Sequence, residues 1–289
     1  SYVVFGQASG FSATMNLSSL DGSNGFRLDG ETAGDESGYS VSSAGDVNGD
    51  GFDDVIIGAP SADPNNNDSG SSYVVFGKAS GFNAAMNLSS LDGSNGFRLD
   101  GATFFDHSGL SVSTAGDVNG DGFDDLIIGS TKSFIFVAFG QASGFSATMD
   151  LYSLDGSNGF RLNGVATNDG LGHSVSSAGD VNGDGFDDLI VGAPHADSNG
   201  TWSGSSYVVF GKASGFSVAM NLSSLNGSNG FRLDGVAAYN ELGDSVSKAG
   251  DVNGDGFDDL IVGAPGADGV ASGSTYVVFG KASGFSAAM

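Results

Sequence analysis

Four copies of one nine-residue sequence, Asp-Val-Asn-Gly-Asp-Gly-Phe-Asp-Asp, place oxygen-bearing side chains at loop positions 1, 3, 5 and 9. The copies occupy residues 46–54, 117–125, 180–188 and 251–259. Calcium takes roughly six to eight oxygen ligands, and a tight loop supplies them from alternate side chains and from the carbonyl at position 7. The glycine at position 6 permits the sharp turn that this wrapping requires. The pattern therefore predicts a cation site in each copy.

A metal-free turn is the alternative interpretation, because Asp-Gly and Asn-Gly pairs are common in hairpins. Three ligand carboxylates within nine residues repel one another unless a cation lies between them, and four identical copies favour metal binding. The loop differs from an EF-hand because position 12, where a chelating Glu is needed, is Ile57. The apolar run Val55-Ile56-Ile57 indicates that a buried strand follows the loop.

The composition excludes several classes of protein. The chain has 34 acidic and 9 basic residues, a formal net charge of -25, which disfavours nucleic acid and anionic membrane surfaces as partners. It contains no cysteine, so neither disulfides nor thiolate metal sites are available. No apolar run of about 18 residues predicts membrane insertion. The 50 glycines without a collagen-like period indicate many turns between short strands.

Phe-Gly pairs mark a repeat of 63 to 71 residues, and all of the length variation lies in one connection of each repeat. Each repeat contains four predicted strands, here called A to D: 39–44, 54–59, 73–76 and 96–99 in the first full copy. Four short antiparallel strands at this period predict an all-β fold, a β-propeller-type array of four-stranded blades. We expect one repeat domain over residues 1–289, divided into about 1–37 (strands C and D), 38–101, 109–164, 172–235 and 243–289 (strands A to C).

The repeats resemble the FG-GAP family. Phe76-Gly77 and Gly58-Ala59-Pro60 are similar to the two halves of the FG-GAP repeat, and the loop between strands A and B is similar to the calcium loop of integrin α-subunit propellers. The resemblance implies a β-propeller with calcium in the A–B hairpins and an extracellular, adhesive role without catalysis. The implied metal ligands are Asp46, Asn48, Asp50, the Phe52 carbonyl and Asp54; Asp117, Asn119, Asp121, the Phe123 carbonyl and Asp125; Asp180, Asn182, Asp184, the Phe186 carbonyl and Asp188; and Asp251, Asn253, Asp255, the Phe257 carbonyl and Asp259.

Two features depart from the family pattern. Its propellers usually have seven blades, whereas this chain carries four loops, and Gly-Ala-Pro is replaced by Gly129-Ser130-Thr131.

The predicted function is that of a calcium-binding structural or adhesion module with about four Ca²⁺ per chain. Loops of this kind generally need near-millimolar calcium, which favours an extracellular, secreted or cell-surface location. The A–B and C–D connections barely vary between repeats, whereas the B–C and D–A loops differ, so we expect a protein or glycan ligand on the variable face. The alternatives are a carbohydrate-binding lectin that uses Trp202 and a non-catalytic accessory domain of a larger secreted protein. No nucleophile or phosphate-binding motif predicts an enzyme.

The sequence contains one more C strand than it contains A, B or D strands. As a result, Tyr2–Phe5 and Tyr276–Phe279 compete for one place in a blade. A four-bladed ring with one loose strand, pairing of the extra strand with another chain, and a segment of a larger array are all compatible with this excess. A free Tyr-Val-Val-Phe edge favours self-association. The chain starts within a strand and without Met, which we interpret as a mature product or a segment of a longer protein.

Two recurrent side chains are interpreted as structural. Eighteen of the 22 Phe occupy four fixed positions of the repeat and are predicted to lie in the core. The Arg of each Gly-Phe-Arg-Leu strand is predicted to pair with nearby acidic residues rather than with an anionic ligand. Phe104, Phe105 and Phe134 lie outside the fixed positions, and local repacking is the favoured interpretation over a binding patch.

Overall fold

The computed structural model describes residues 1–8, 10–79, 81–213, 215–267 and 272–289. In these ranges the regular structure consists of short β-strands and four single-turn 3₁₀ helices. The strands are β1 (Tyr2–Val4), β2 (Gly25–Asp29), β3 (Ser40–Gly45), β4 (Asp54–Ala59), β5 (Ser71–Val75), β6 (Ala85–Asn87), β7 (Gly96–Asp100), β8 (Val112–Gly116), β9 (Asp125–Gly129), β10 (Phe134–Ala138), β11 (Thr148–Asp150), β12 (Gly159–Asn163), β13 (Val175–Gly179), β14 (Asp188–Ala193), β15 (Ser205–Val209), β16 (Ala219–Asn221), β17 (Gly230–Asp234), β18 (Val246–Gly250), β19 (Asp259–Ala264) and β20 (Ser274–Val278). The 3₁₀ helices are Leu17–Ser19, Leu88–Ser90, Leu151–Ser153 and Leu222–Ser224. None of the described helices has the length and apolar character needed to cross a membrane.

The strands form a row of propeller blades. Blade I contains β1 and β2, and blade V contains β18, β19 and β20. The three blades between them have four strands each. Blade II contains β3, β4, β5 and β7; blade III contains β8, β9, β10 and β12; and blade IV contains β13, β14, β15 and β17. Neighbouring strands within a blade are antiparallel, in the order A, B, C and D. The all-β, blade-like fold predicted from the sequence is confirmed, and β4 has the same bounds as predicted strand B.

A β-bulge shapes the junction between strand A and the nine-residue loop that follows it. The β3–β4 register shifts between Ser43 and Gly45, and Gly45 has a φ of 71° that an L side chain rarely adopts. The bulge turns the backbone out of the sheet immediately before Asp46. The same shift occurs at the corresponding place in blades III, IV and V. The sheet therefore begins each loop with one repeated backbone geometry.

The connection between strands C and D contains two elements that the sequence reasoning missed. In blade II it forms β6, which pairs in parallel with β2 of blade I, and then the 3₁₀ helix Leu88–Ser90. The N-cap of this helix is Asn87, whose side chain accepts a hydrogen bond from the Ser89 N–H. Strands β11 and β16 pair with the preceding blade in the same way. This contact between blades explains why the connection barely varies in sequence.

The core lies between successive blades rather than within any one of them. Phe97 of blade II stacks on Phe145 of blade III with ring centroids 4.5 Å apart, and the other described blade contacts contain an equivalent pair. The prediction that all 18 recurrent Phe are core residues is wrong at the ends of the row. Phe11, Phe52 and Phe279 are 58%, 41% and 53% exposed, because the described residues place no neighbouring blade over them. Outside the recurrent positions, Phe104 and Phe105 are exposed as well.

The two C strands at the ends of the row are not joined in the described residues. Strand β1 pairs with β2, and β20 pairs with β19. In blade I the edge strand is therefore β1, a C strand whose outer side is paired with strand B in complete blades. Blade V presents the edge on which strand D lies.

Candidate metal-binding loops

Position 9 of each loop anchors the loop to its own blade. Asp54 is buried, and its Oδ2 accepts a hydrogen bond from the Val47 N–H at 3.1 Å while its Oδ1 accepts one from the Gly77 N–H at 2.7 Å. One carboxylate thus joins the loop to the Phe-Gly pair at the end of strand C. Asp125, Asp188 and Asp259 make the same two contacts. This arrangement explains structurally why the Phe-Gly pair and the loop recur together.

Positions 1, 3 and 5 turn their oxygens toward the backbone inside the loop. Asp46 accepts hydrogen bonds from the N–H groups of Asp50 and Gly51. Asn48 Oδ1 accepts one from the Asp50 N–H, and Asp50 Oδ1 accepts one from the Phe52 N–H. The other three loops repeat these bonds. In each loop the side chains of positions 1, 3 and 5 therefore fold back onto one turn of the backbone.

The buried carboxylates are electrostatically unfavourable in the absence of a cation. Burial, together with the smaller effect of the Asp50 and Asp46 charges, raises the pKa of Asp54 to about 7. Burial likewise raises the pKa of Asp125 and of Asp188 to about 8. In the described part of the chain, the ion pairs to Lys, Arg and His do not involve any of these position 9 residues. A bound cation would supply the missing positive charge.

The donor set fits a hard cation because all the candidate ligands are oxygens. Among the described residues, no three His, Cys, Asp or Glu side chains form a ready metal centre by themselves. The carboxylates of one loop are thus not a preassembled cage, and the Asn48 amide oxygen and the Phe52 carbonyl would have to complete the coordination. The same requirement holds for Asn119 with Phe123, Asn182 with Phe186, and Asn253 with Phe257.

Position 8 has a role that the sequence reasoning missed. Asp124 Oδ2 accepts a hydrogen bond from the Asp46 N–H of the preceding blade at 2.8 Å, and the Asp124 N–H donates to the Asp46 carbonyl. The pairs Asp187–Asp117 and Asp258–Asp180 repeat both bonds. The only signal in the sequence is that position 8 is Asp in every copy although it is not a ligand in the motif. Consecutive candidate metal-binding loops are therefore connected directly.

The variable loops lie together on the other face, as predicted from the alternation of strand direction. The Phe105 N–H of a D–A loop donates to the Asn67 carbonyl of a B–C loop, and the Tyr239 N–H donates to the Thr201 carbonyl in blade IV. The latter pair of loops carries three neighbouring rings. Trp202 lies 4.9 Å from the centroid of His195 and 6.3 Å from that of Tyr239. Trp202 and Tyr239 are exposed.

The recurrent Arg residues form the structural contacts expected of them. Arg98 pairs with Asp100 at 2.7 Å and with Glu31 at 2.8 Å. Arg27 and Arg232 pair with the acid two residues further along the strand. Where that acid is replaced by Asn163, Arg161 donates to the amide and lies over the Phe134 ring. These contacts support the structural interpretation of the Arg residues.

The comparisons with known proteins agree with the repeated geometry. The FG-GAP repeat model matches residues 37–75, 108–144, 171–209 and 242–278, which together make up more than half of the chain. Integrin alpha-V of Gallus gallus is 32% identical over 240 residues, which cover 80% of this chain and 20% of that protein. Integrin alpha-PS5 of Drosophila melanogaster is 33% identical over 178 residues, 58% of this chain and 16% of its own length. The chain thus spans a fifth or less of these relatives. It belongs to the FG-GAP repeat family, with blades like those of integrin α subunits.

Proposed function

We propose that the protein is an extracellular structural and adhesion module that binds one calcium ion in each of its four A–B hairpins. The observation that carries the proposal is the buried position 9 carboxylate, which forms no ion pair with Lys, Arg or His among the described residues and lies beside two further acidic side chains. Calcium would neutralise these charges and fix the hairpin. The named relatives are integrin α subunits, which supports a location at the cell surface.

The consequence of metal binding follows from the contacts of the loop. Position 9 holds the end of strand C, and position 8 holds the preceding blade. An ion that orders the loop therefore stabilises both contacts. Metal at about tenfold over its dissociation constant adds about 1.4 kcal/mol per site by mass action. We further propose that the module acts without catalysis, because the clustered Asp residues serve as ligands.

Calcium titration of the chelator-stripped chain tests this proposal. We expect about four Ca²⁺ per chain by calorimetry and a melting temperature that falls when a chelator is added. Asp125→Asn removes the charge of one buried ligand and should reduce the stoichiometry by one. Asp92→Asn, at an exposed turn outside the loops, should leave it unchanged. Equal melting temperatures with and without chelator, together with no heat of binding, would refute calcium binding.

A carbohydrate ligand on the variable face is the second candidate function, and the exposed Trp202–Tyr239–His195 group favours it. An aromatic face stacks on the apolar face of a sugar, and the two exposed rings stand nearly perpendicular, at 78°. The expected result is glycan-array binding that is lost on Trp202→Ala and retained on Phe104→Ala, a substitution at another exposed aromatic. Binding that is indifferent to Trp202 would remove this candidate.

A further inference from the structure

We infer that the variable face of blade III binds a segment of a partner protein that carries one carboxylate beside an apolar side chain. This inference deepens the proposed adhesive function and rests on it. Three features of blade III carry it: a recurrent Arg without an acidic partner, a lysine in the shortened B–C loop, and two exposed phenylalanines next to that loop.

Arg161 lacks the acidic partner that the other recurrent Arg residues have. Arg27, Arg98 and Arg232 each pair with the Asp two residues further along the strand. In blade III that position is Asn163, and Arg161 Nε donates to its Oδ1 at 2.9 Å. In the described part of the chain, no hydrogen bond of the Arg161 side chain uses Nη1 or Nη2. These two nitrogens of the planar guanidinium are therefore available to both oxygens of a carboxylate.

The Arg161 side chain is held in place by an aromatic ring. Its Cζ lies 4.7 Å from the centroid of the Phe134 ring. Arg161 also lies opposite Phe136 in the β10–β12 register, and the Phe136 ring is 5.2 Å from that of Tyr152. A side chain that is already ordered loses less conformational entropy when it binds a ligand. The stacked guanidinium is thus preorganised for a planar anion.

The short B–C loop of blade III replaces acidic residues by a cation. The B–C loop of blade II carries Asp63 and Asp68, and that of blade IV carries Asp197. In blade III the loop is reduced to 130–133 and carries Lys132. This lysine is exposed and forms no ion pair among the described residues. Two cations without an acidic partner therefore lie on this edge of blade III.

Asp106 is an acidic residue beneath this surface, but it does not face a ligand. It is 0% exposed, and its Oδ2 accepts a hydrogen bond from the Tyr152 hydroxyl at 3.1 Å. Burial raises the pKa of the Asp106 carboxyl, and the charge of the nearby Lys132 opposes this rise. The contact with Tyr152 on one side and the proximity to Lys132 on the other bring the lysine to the same region as Arg161.

Two exposed aromatic residues adjoin the cations. Phe104 and Phe105 are 59% and 53% exposed, so the local repacking expected from the sequence does not cover them. The hydroxyl of Thr131, next to Lys132 in the chain, donates to the Phe105 carbonyl at 3.0 Å. Aromatic residues and Arg are enriched in protein interfaces and among the residues that contribute most to binding. An apolar side chain of the partner would cover these rings.

The charge of the whole chain favours a protein segment over a polyanion. The formal net charge of -25 repels nucleic acids and sulfated polysaccharides, whose charges extend well beyond a Debye length of about 8 Å. Two cations balance one carboxylate but not a charged polymer. A segment with a single Asp or Glu beside an apolar residue matches both the cations and the aromatic surface.

The test is binding of the full chain, in calcium, to an array of capped octapeptides that carry one central Asp between varied neighbours. The same peptides with Asn in place of Asp are printed beside them, and calorimetry then gives the affinities of the best pairs. We expect peptides with apolar neighbours to bind, and their Asn counterparts to bind at least about tenfold more weakly.

Asn163→Asp is the most direct variant, because it gives Arg161 the acidic partner that the equivalent Arg has in blades II and IV. It should fold like those blades and bind the peptides at least about tenfold more weakly. Arg161→Lys keeps the charge but removes the planar pair of donors, so it should also weaken binding. Lys212→Gln is the matched control, because Lys212 lies beside the A–B loops on the opposite face and should not affect peptide binding.

Several results would overturn the inference. These are the absence of any binding peptide, equal binding of Asp and Asn peptides, and peptide binding that is unchanged in Asn163→Asp. A heparin fragment that binds more tightly than every peptide would show a polyanion site instead. Binding lost on Trp202→Ala but not on Asn163→Asp would place the ligand on blade IV.

The calcium stoichiometry of the unmodified chain and of Asn163→Asp is measured separately. Four bound ions without peptide binding by the unmodified chain would refute this inference and leave the metal sites standing. Peptide binding that is sensitive to Asn163→Asp, in a chain that binds no calcium, would support this inference and refute the metal sites. The two failures are therefore distinguishable.

Discussion

The hydrogen bond between consecutive candidate metal-binding loops provides a sharp test of how the blades are held together. Asp124 at position 8 of blade III accepts from the Asp46 N–H at 2.8 Å. Asp53 at position 8 of blade II follows Phe and precedes Asp as Asp124 does, but it is exposed and makes no such bond among the described residues. We predict that Asp124→Ala destabilises the single chain and that Asp53→Ala does not.

The magnitude follows from the type of bond and from its burial. A hydrogen bond to a charged group contributes about 1.5–3 kcal/mol, and the half-buried position of Asp124 favours about 2 kcal/mol. The entropy of unfolding is about 2.1 cal/mol/K per residue, or about 0.6 kcal/mol/K for the whole chain if it unfolds cooperatively. A loss of about 2 kcal/mol therefore lowers the melting temperature by about 3 °C. Substitution of the exposed Asp53 should change stability by less than about 0.5 kcal/mol.

The assay is calorimetric and urea-induced unfolding at concentrations where the chain is monomeric, in calcium and in chelator. The difference between the two variants should persist in chelator, because position 8 is not a predicted metal ligand. Equal losses for Asp124→Ala and Asp53→Ala would show that position 8 acts within its own loop and would refute the role between blades.

Three further predictions use matched positions or a buried acid. Leu88→Ala should lower the free energy of unfolding in urea by about 3 kcal/mol because Leu88 is 1% exposed, whereas Leu17→Ala should lower it by less than about 1 kcal/mol. Equal losses would contradict the packing of this leucine between blades. Gly116→Ala and Gly250→Ala introduce similar backbone strain, at φ values of 72° and 70°, but only Gly116→Ala also brings a methyl group against a carboxylate of the next blade. The Gly116 variant should therefore have the lower melting temperature. Equal melting temperatures would contradict the close contact between these blades. Burial raises the pKa of Asp106 above its ordinary 3.8, so the stability that this side chain contributes is present below pH 3.8 and lost as the pH rises through the raised value. Asp106→Asn should therefore have a higher melting temperature than the unmodified chain at pH 7 but not at pH 3.5. A difference that does not depend on pH would contradict the raised pKa of Asp106.

The elements within a blade were predictable from the sequence because their signals are local. The apolar run after Asp54 indicates strand B, and the spacing of Asp46, Asn48 and Asp50 indicates the loop. The strand bounds differ from the prediction by one or two residues, as for strand C, which was expected at 73–76 and forms Ser71–Val75. Each of these features depends on residues close together in the chain.

The contacts between blades were not predictable because they depend on which blade lies next in space. Asp53 and Asp124 have the same sequence neighbours, yet only Asp124 lies against a preceding loop. Phe11 is exposed for the same reason, although the equivalent Phe82 stacks on Phe26 at 4.6 Å. A repeat sequence thus specifies what each surface can bind. The position of the repeat in the row decides whether the surface is covered.

The proposed metal binding would affect the cohesion of the whole row, because adjacent residues of one loop make contacts within and between blades. Position 9 binds strand C of its own blade, position 8 binds the preceding loop, and position 1 combines a predicted ligand carboxylate with the backbone N–H that the following blade captures. A cation that orders the loop therefore acts on an entire interface between blades, not on one hairpin. If calcium is removed, the contacts between blades should loosen before the strands within a blade separate. We expect hydrogen exchange to rise first at the Asp46 and Asp117 amides, while the amides of β4 and β9 stay protected. Simultaneous exchange of both sets of amides would contradict this order.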